Sequence, residues 1–137
     1  PTFRESVLMH AVSRIVLGEY ISNIQTSWVK MGHTGVVACL NAGANDLGGT
    51  LMNESITRAA GASYGQETSP ELMMEMISTA GREARQRTTS YGEVPNERIK
   101  AGLNAEILTD IVNTPAPKYE RSARRVLKRS AIVLDNT

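Results

Sequence analysis

Between Gly43 and Glu54 the chain concentrates residues that make directional contacts. Asn45, Asp46, Thr50, Asn53 and Glu54 stand around the pair Gly48-Gly49, with apolar stretches on either side. Packing between two apolar elements does not need that density of amide, carboxylate and glycine. A ligand site at the mouth of an α/β unit does, because glycine lets the backbone approach a ligand while carboxylates and amides orient it. Asp46 and Glu54 supply carboxylates, Gln25, Ser27, Asn45, Thr50 and Asn53 neutral donors and acceptors, and Lys30 and Arg87 cations, all candidates for substrate contacts.

The same stretch invites a second reading. Gly43-Ala-Asn-Asp-Leu-Gly-Gly-Thr50 fits the phosphate-loop pattern at every defined position except that Gly49 stands where the phosphate-reaching lysine belongs. A plain backbone anion nest remains open there. His10 and His33 lack metal-ligand partners at useful spacing. Cys39, the single cysteine, sits among Val36, Val37 and Leu40 and reads as a buried thiol. One cysteine excludes an internal disulfide and suits a reducing compartment, the cytoplasm.

These residues need elements to hold them. Val7, Leu8, Ala11, Val12, Ile15 and Val16 repeat with helical spacing, and Pro1 reads as lying inside that helix, so the chain reads as a fragment. Residues 20–29 alternate, with Ile24, Thr26 and Trp28 on one face and Gln25, Ser27 and Val29 on the other, which predicts a strand. Gly32 marks a turn before a helix over 34–42. Thr50 to Met52 reads as a second short strand, followed at once by a helix opening at Asn53. Ser69 and Pro70 make a strong helix start, with Leu72, Met73, Met76, Ile77 and Ala80 as its apolar face. Arg85 to Tyr91 alternates as a third strand. A helix through Ile99, Leu103, Ile107, Leu108 and Ile111 then runs to the breakers Pro115 and Pro117. The tail carries six cations (Lys118, Arg121, Arg124, Arg125, Lys128 and Arg129) against Glu120 and Asp135. It reads as a solvated helix, with an interaction role as the alternative.

The order predicts an α/β fold with about three parallel strands, suited to part of a (β/α) barrel whose chemistry gathers at the carboxyl ends of the strands. Residues 1–94 would form the barrel portion and 95–137 a helical basic tail. With 137 residues, a net charge of +1 and 41% hydrophobic content, composition makes no case for nucleic acid or a membrane as partner.

Several segments carry a specific resemblance. Ile24-Gln-Thr-Ser-Trp-Val-Lys-Met-Gly32, the run from Ala42 to Ile56, Arg58-Ala-Ala-Gly61, Gly65-Gln66 and Arg85-Gln-Arg-Thr-Thr89 resemble the C-terminal part of the FO synthase family. Within it the likeness is to the tyrosine-using, radical S-adenosylmethionine half of deazaflavin biosynthesis, from about Phe3 to Tyr91. Enzymes of the futalosine route to menaquinone share the strand motif and the Gly-Gly turn. The resemblance implies a (β/α) barrel whose N-terminal part holds a four-iron, four-sulfur cluster on a C-x-x-x-C-x-x-C motif. It further implies S-adenosylmethionine as cofactor, with tyrosine and 5-amino-6-ribitylaminouracil as substrates. This sequence has no such cysteine motif, so the resemblance implies a piece that keeps part of the substrate wall and is inactive alone.

Overall fold

Thr2 starts the first helix. Its hydroxyl accepts from Glu5 N at 3.3 Å and Glu5 Oε2 accepts from Thr2 N at 2.7 Å, a reciprocal cap that satisfies two otherwise orphaned donors. Thr2 itself is extended, so α1 spans Phe3–Leu17 and Pro1 lies outside it, contrary to the expectation from its apolar stripe. This is a computed structural model, and it describes residues 1–51, 54–61 and 67–106. Four further helices follow: α2 (Trp28–Asn41), α3 (Ile56–Ala59), α4 (Pro70–Thr79) and α5 (Asn96–Leu103).

The core grows from α2. Trp28, Val29, Val36, Cys39 and Leu40 are buried on it, joined by Ala44, Leu47 and Met76. Each large apolar side chain so buried contributes roughly 1.5–3 kcal/mol. α2 packs against both α1 and α4, and α4 meets α5. Gly35 permits the α1 approach: a Cβ there would stand 3.3 Å from Phe3 Cε2 and 3.0 Å from Met31 Cβ. α4 begins as its sequence predicts, with the Ser69 hydroxyl accepting from Leu72 N and Pro70 in the first turn. By contrast α1 buries none of its residues fully, and Met9, Ile15 and Val16 are 65%, 83% and 62% exposed.

The described residues are mostly helical, with little strand. Three parallel strands were expected, but two isolated bridges are found: Gln25 with Asp46, parallel, and Arg87 with Glu93, antiparallel. The 20–29 strand is cut short because Ser27 takes the N-cap position of α2. Lys30 N and Met31 N bond back to the Ser27 carbonyl, and Trp28 and Val29 are therefore helical. Gly32, at φ 65°, kinks α2 where the turn was expected. The bridge partner of Gln25 is Asp46, ahead of the Gly-Gly pair; Met52 lies outside the described residues. The alternation at 85–91 ends in a tight return, in which Thr88 N bonds Gly92 O and Tyr91 N bonds Thr88 O. The helix foreseen at Asn53 becomes the short α3. Ile107, Leu108, Ile111 and the basic tail lie outside the described residues.

Candidate functional site

The parallel bridge sets two segments side by side. Thr26 N donates to Asp46 O at 2.8 Å and Asn45 N to Ile24 O at 3.0 Å. Their ends, the Gly48-Gly49 turn, α4 and residues 82–93 line a half-open cavity of about 850 Å³. That volume lies in the range of small-molecule sites.

Asp46 is the hub of its wall. The carboxylate is buried and accepts four bonds: Gly48 N at 3.2 Å and Arg87 Nε at 3.0 Å on Oδ1, Arg87 Nη2 at 2.6 Å and the Tyr91 hydroxyl at 3.0 Å on Oδ2. Four bonds use its acceptor capacity. Burial pushes the Asp46 carboxyl up. The Arg87 bond, the Gly48 N–H, the Tyr91 hydroxyl and the Arg87 charge outweigh burial and hold it below the ordinary aspartate value. The Asp46 bond raises the Arg87 guanidinium, and the same carboxylate, followed by burial, raises the Tyr91 phenol. Arg87 also lies 4.2 Å above the Tyr91 ring centroid and donates to Thr88 O. Tyr91 adopts φ 61°, alone among the described non-glycine residues in the left-handed region.

Asn45, adjacent to the hub, is also engaged within the fold. Its Oδ1 accepts from Arg14 Nη2 and Ile24 N, both at 2.8 Å, and its Nδ2 donates to Ser22 O at 3.1 Å. Arg14 further donates to Gly43 O and Ser22 O, tying α1 to the turn. Gly48, at φ 76°, carries the Gln25 amide against it, so a Cβ there would sit 2.6 Å from Gln25 Nε2. Trp28, 3% exposed, donates its indole N–H to Gly49 O at 3.1 Å. Arg82 donates to Leu40 O and Ala44 O, closing the carboxyl end of α2 onto the cavity rim.

Of the residues singled out from the sequence, Gln25, Asn45, Asp46, Thr50 and Arg87 line one cavity. Ser27 is the N-cap residue of α2, where its carbonyl accepts from Lys30 N and Met31 N and its side chain makes no capping bond. Lys30 is exposed on the first turn of that helix. Glu54 accepts from Ile56 N and Thr57 N and so starts α3. None of these three lines the cavity. Asn53 lies outside the described residues. Tyr91 and Arg82 escaped sequence reasoning. A tyrosine before a glycine does not announce a left-handed turn, and an arginine just past a helix-ending glycine reads as solvated.

The phosphate-loop alternative is disfavoured here. The segment before Gly43 is helical, and four of the loop's N–H groups are used internally: Gly43 to Leu40 O, Ala44 to Cys39 O, Asn45 to Ile24 O and Gly48 to Asp46. No group of three metal-ligating side chains occurs among the described residues, and none of their helices is long and apolar enough to cross a membrane.

A buried, charge-balanced hub beneath a cleft of this volume makes this the candidate small-molecule site among the described residues. Residues 2–99 match the model of the CofH/MqnC C-terminal region, and the chain belongs to that family. It is similar to the FO synthase of Streptomyces avermitilis, 52% identical over 106 residues, covering 77% of this chain and 12% of that protein. It is also similar to the FO synthase of Mycobacterium leprae, 52% identical over 91 residues, 66% of this chain and 10% of the relative. A third relative is the 5-amino-6-(D-ribitylamino)uracil--L-tyrosine 4-hydroxyphenyl transferase of Methanopyrus kandleri, 53% identical over 88 residues, 64% of this chain and 24% of the relative. The chain thus spans between a tenth and a quarter of the length of these relatives. No solved structure gives a significant match.

Proposed function

We propose that this chain is the C-terminal portion of a radical S-adenosylmethionine enzyme of deazaflavin biosynthesis. The parent joins a tyrosine-derived hydroxybenzyl group to 5-amino-6-ribitylaminouracil. The observation that carries this reading is the family match over residues 2–99, together with relatives at about half identity that are named for this synthesis. Those names favour the deazaflavin reaction over the menaquinone alternative.

On this reading residues 1–94 belong to a (β/α) barrel. The exposed apolar side chains of α1, Met9, Ile15 and Val16 among them, support a cover supplied by the remainder of the barrel. Tyrosine and the aminouracil are the small-molecule partners, and the compartment is the cytoplasm. S-adenosylmethionine and a four-iron, four-sulfur cluster belong to the parent. This chain's residues do not fit the cluster: it needs several thiolates, and the sequence has Cys39 alone, buried in the core.

The chain's own part is to shape and hold the substrate wall. Gln25 and Thr50 offer neutral donors and acceptors to the ribityl chain or the uracil edge. Arg87 keeps N–H groups beyond those given to Asp46 and Thr88 and directs them to a carboxylate or carbonyl. Asp46 and Asn45 act as positioning residues, Asp46 by orienting Arg87 and Tyr91, Asn45 by holding the turn to α1.

The test is anaerobic assay of the full-length parent with reconstituted cluster, S-adenosylmethionine, tyrosine and 5-amino-6-ribitylaminouracil, reading deazaflavin product by its fluorescence. Formation of a menaquinone precursor from a futalosine-type substrate, with no deazaflavin, would sink the assignment.

A further inference from the structure

Gly48 and Gly49 are adjacent, yet the fold treats them differently. Gly48 has internal reasons to be glycine: φ is 76°, and a Cβ would stand 2.6 Å from Gln25 Nε2. Gly49 has none. It is not among the positive-φ residues, and a Cβ built on it meets nothing within 4 Å. It lines the 850 Å³ cavity, and a methyl added there would stand in open space.

That peptide is also held still. Trp28, buried in the core, spends its single polar atom on the Gly49 carbonyl. A glycine kept for flexibility would not be clamped by a buried indole. The same cavity holds a second flat, fixed surface: the Tyr91 ring, 49% exposed, tied through its hydroxyl to Asp46 and covered on one face by Arg87. Bare peptide planes and aromatic rings both favour a planar π-system over a flexible chain.

We propose that Gly49 is a specificity-determining contact, its bare peptide being a surface on which a planar ring of the substrate lies. This rests on the function proposed above, whose two substrates each bear one such ring, the phenol of tyrosine and the uracil. A methyl at position 49 would occupy the ring's place while costing the fold nothing. Ordinary φ and open space make Gly to Ala neutral or mildly stabilising, since it restricts the unfolded chain.

The experiment uses the full-length enzyme without reductant, so that binding is read apart from turnover. Equilibrium dialysis measures tyrosine and 5-amino-6-ribitylaminouracil separately for wild type, Gly49→Ala and Gly49→Val, and each protein is melted. The expected result is a loss of about tenfold or more in affinity for one of the two ligands with Ala, and a larger loss with Val, as overpacking a filled site gives. The ligand affected identifies the ring. Melting of Gly49→Ala stays at or above wild type. Unchanged affinity for both ligands in both variants overturns the contact, and so does a loss of affinity accompanied by a lowered melting temperature in Gly49→Ala. A wild-type enzyme that binds neither ligand overturns the proposed function and the contact with it.

Discussion

The Asp46 carboxylate and the Arg87 guanidinium, 41 residues apart in the chain, meet edge to edge with bonds of 3.0 and 2.6 Å. This two-bond fork joins the Gly48-Gly49 turn to the 87–93 return, and Tyr91 closes over it. Planar, bidentate pairing of this kind fixes orientation as well as distance.

Removing the charge while keeping the shape should loosen both sides of the cavity. Asp46→Asn is expected to destabilise the full-length enzyme by about 1–3 kcal/mol, because a half-buried arginine loses its partner. It should also cut kcat/KM by about tenfold or more if Arg87 and Tyr91 are held for substrate. Arg87→Lys should do nearly as much harm, since an ammonium cannot make the fork. Thermal melts and steady-state kinetics check both, and an Asp46→Asn enzyme that melts and turns over like wild type would refute the clasp.

The pH dependence has a definite sign. The folded-state value of Asp46 lies below that of the unfolded chain, so its contribution is complete above about pH 4 and is lost as pH falls through the lower folded value. The stability gap between wild type and Asp46→Asn should therefore be widest near neutral pH and close on acidification. Denaturant titrations of the two proteins from pH 7 to about pH 3 measure it.

Gly48→Ala should be costly where Gly49→Ala is not. At φ 76° an alanine pays left-handed strain of roughly 1–2 kcal/mol, and its Cβ collides with the Gln25 amide. Adding Gln25→Ala should recover the collision but leave the strain. Melting temperatures of the two single variants and the double variant separate these effects. Full recovery in the double variant would mean that the backbone there is unstrained.

Arg14 and Asn45 should behave as one unit. They share a 2.8 Å bond and jointly hold Ser22, Ile24 and Gly43. Arg14→Ala and Asn45→Ala should each destabilise, and the double variant should lose less than the sum, with a coupling of about 0.5–3 kcal/mol. Strict additivity would show that the two side chains act independently.

The 137-residue chain on its own should take up no iron-sulfur cluster and should associate through α1. Its one thiol is buried, while Met9, Ile15 and Val16 stand exposed. Anaerobic reconstitution should leave no cluster absorbance, and sedimentation at rising concentration should show growing mass. A stoichiometric cluster, or a monomer at all concentrations, would contradict the proposal that this is the C-terminal portion of a larger barrel.

What the sequence determined by itself lies within a turn or two of chain. Ser69 and Pro70 set the start of α4, apolar spacing set α1, and Gly32 marked the kink in α2, because capping bonds and helical faces form between residues three or four apart. The motif residues from Ile24 to Thr89 were enough to point to the family. The density of polar residues around Gly48-Gly49 marked a segment of the cavity wall. What each residue does there was decided by tertiary structure. Asn45, Asp46 and Glu54 all read as substrate contacts in the sequence, yet Asn45 bonds Arg14 and the 22–24 backbone, Asp46 bonds Arg87 and Tyr91, and Glu54 bonds the first turn of α3. The alternation that predicted three strands could not say whether extended segments would find neighbours, and a strand exists only where a ladder forms. Bonds from Arg14, Arg82 and Tyr91 cross 31 to 45 residues of chain. No local pattern encodes such partners; they meet because the packing of α2 against α1 and α4 brings the intervening segments back to one cavity.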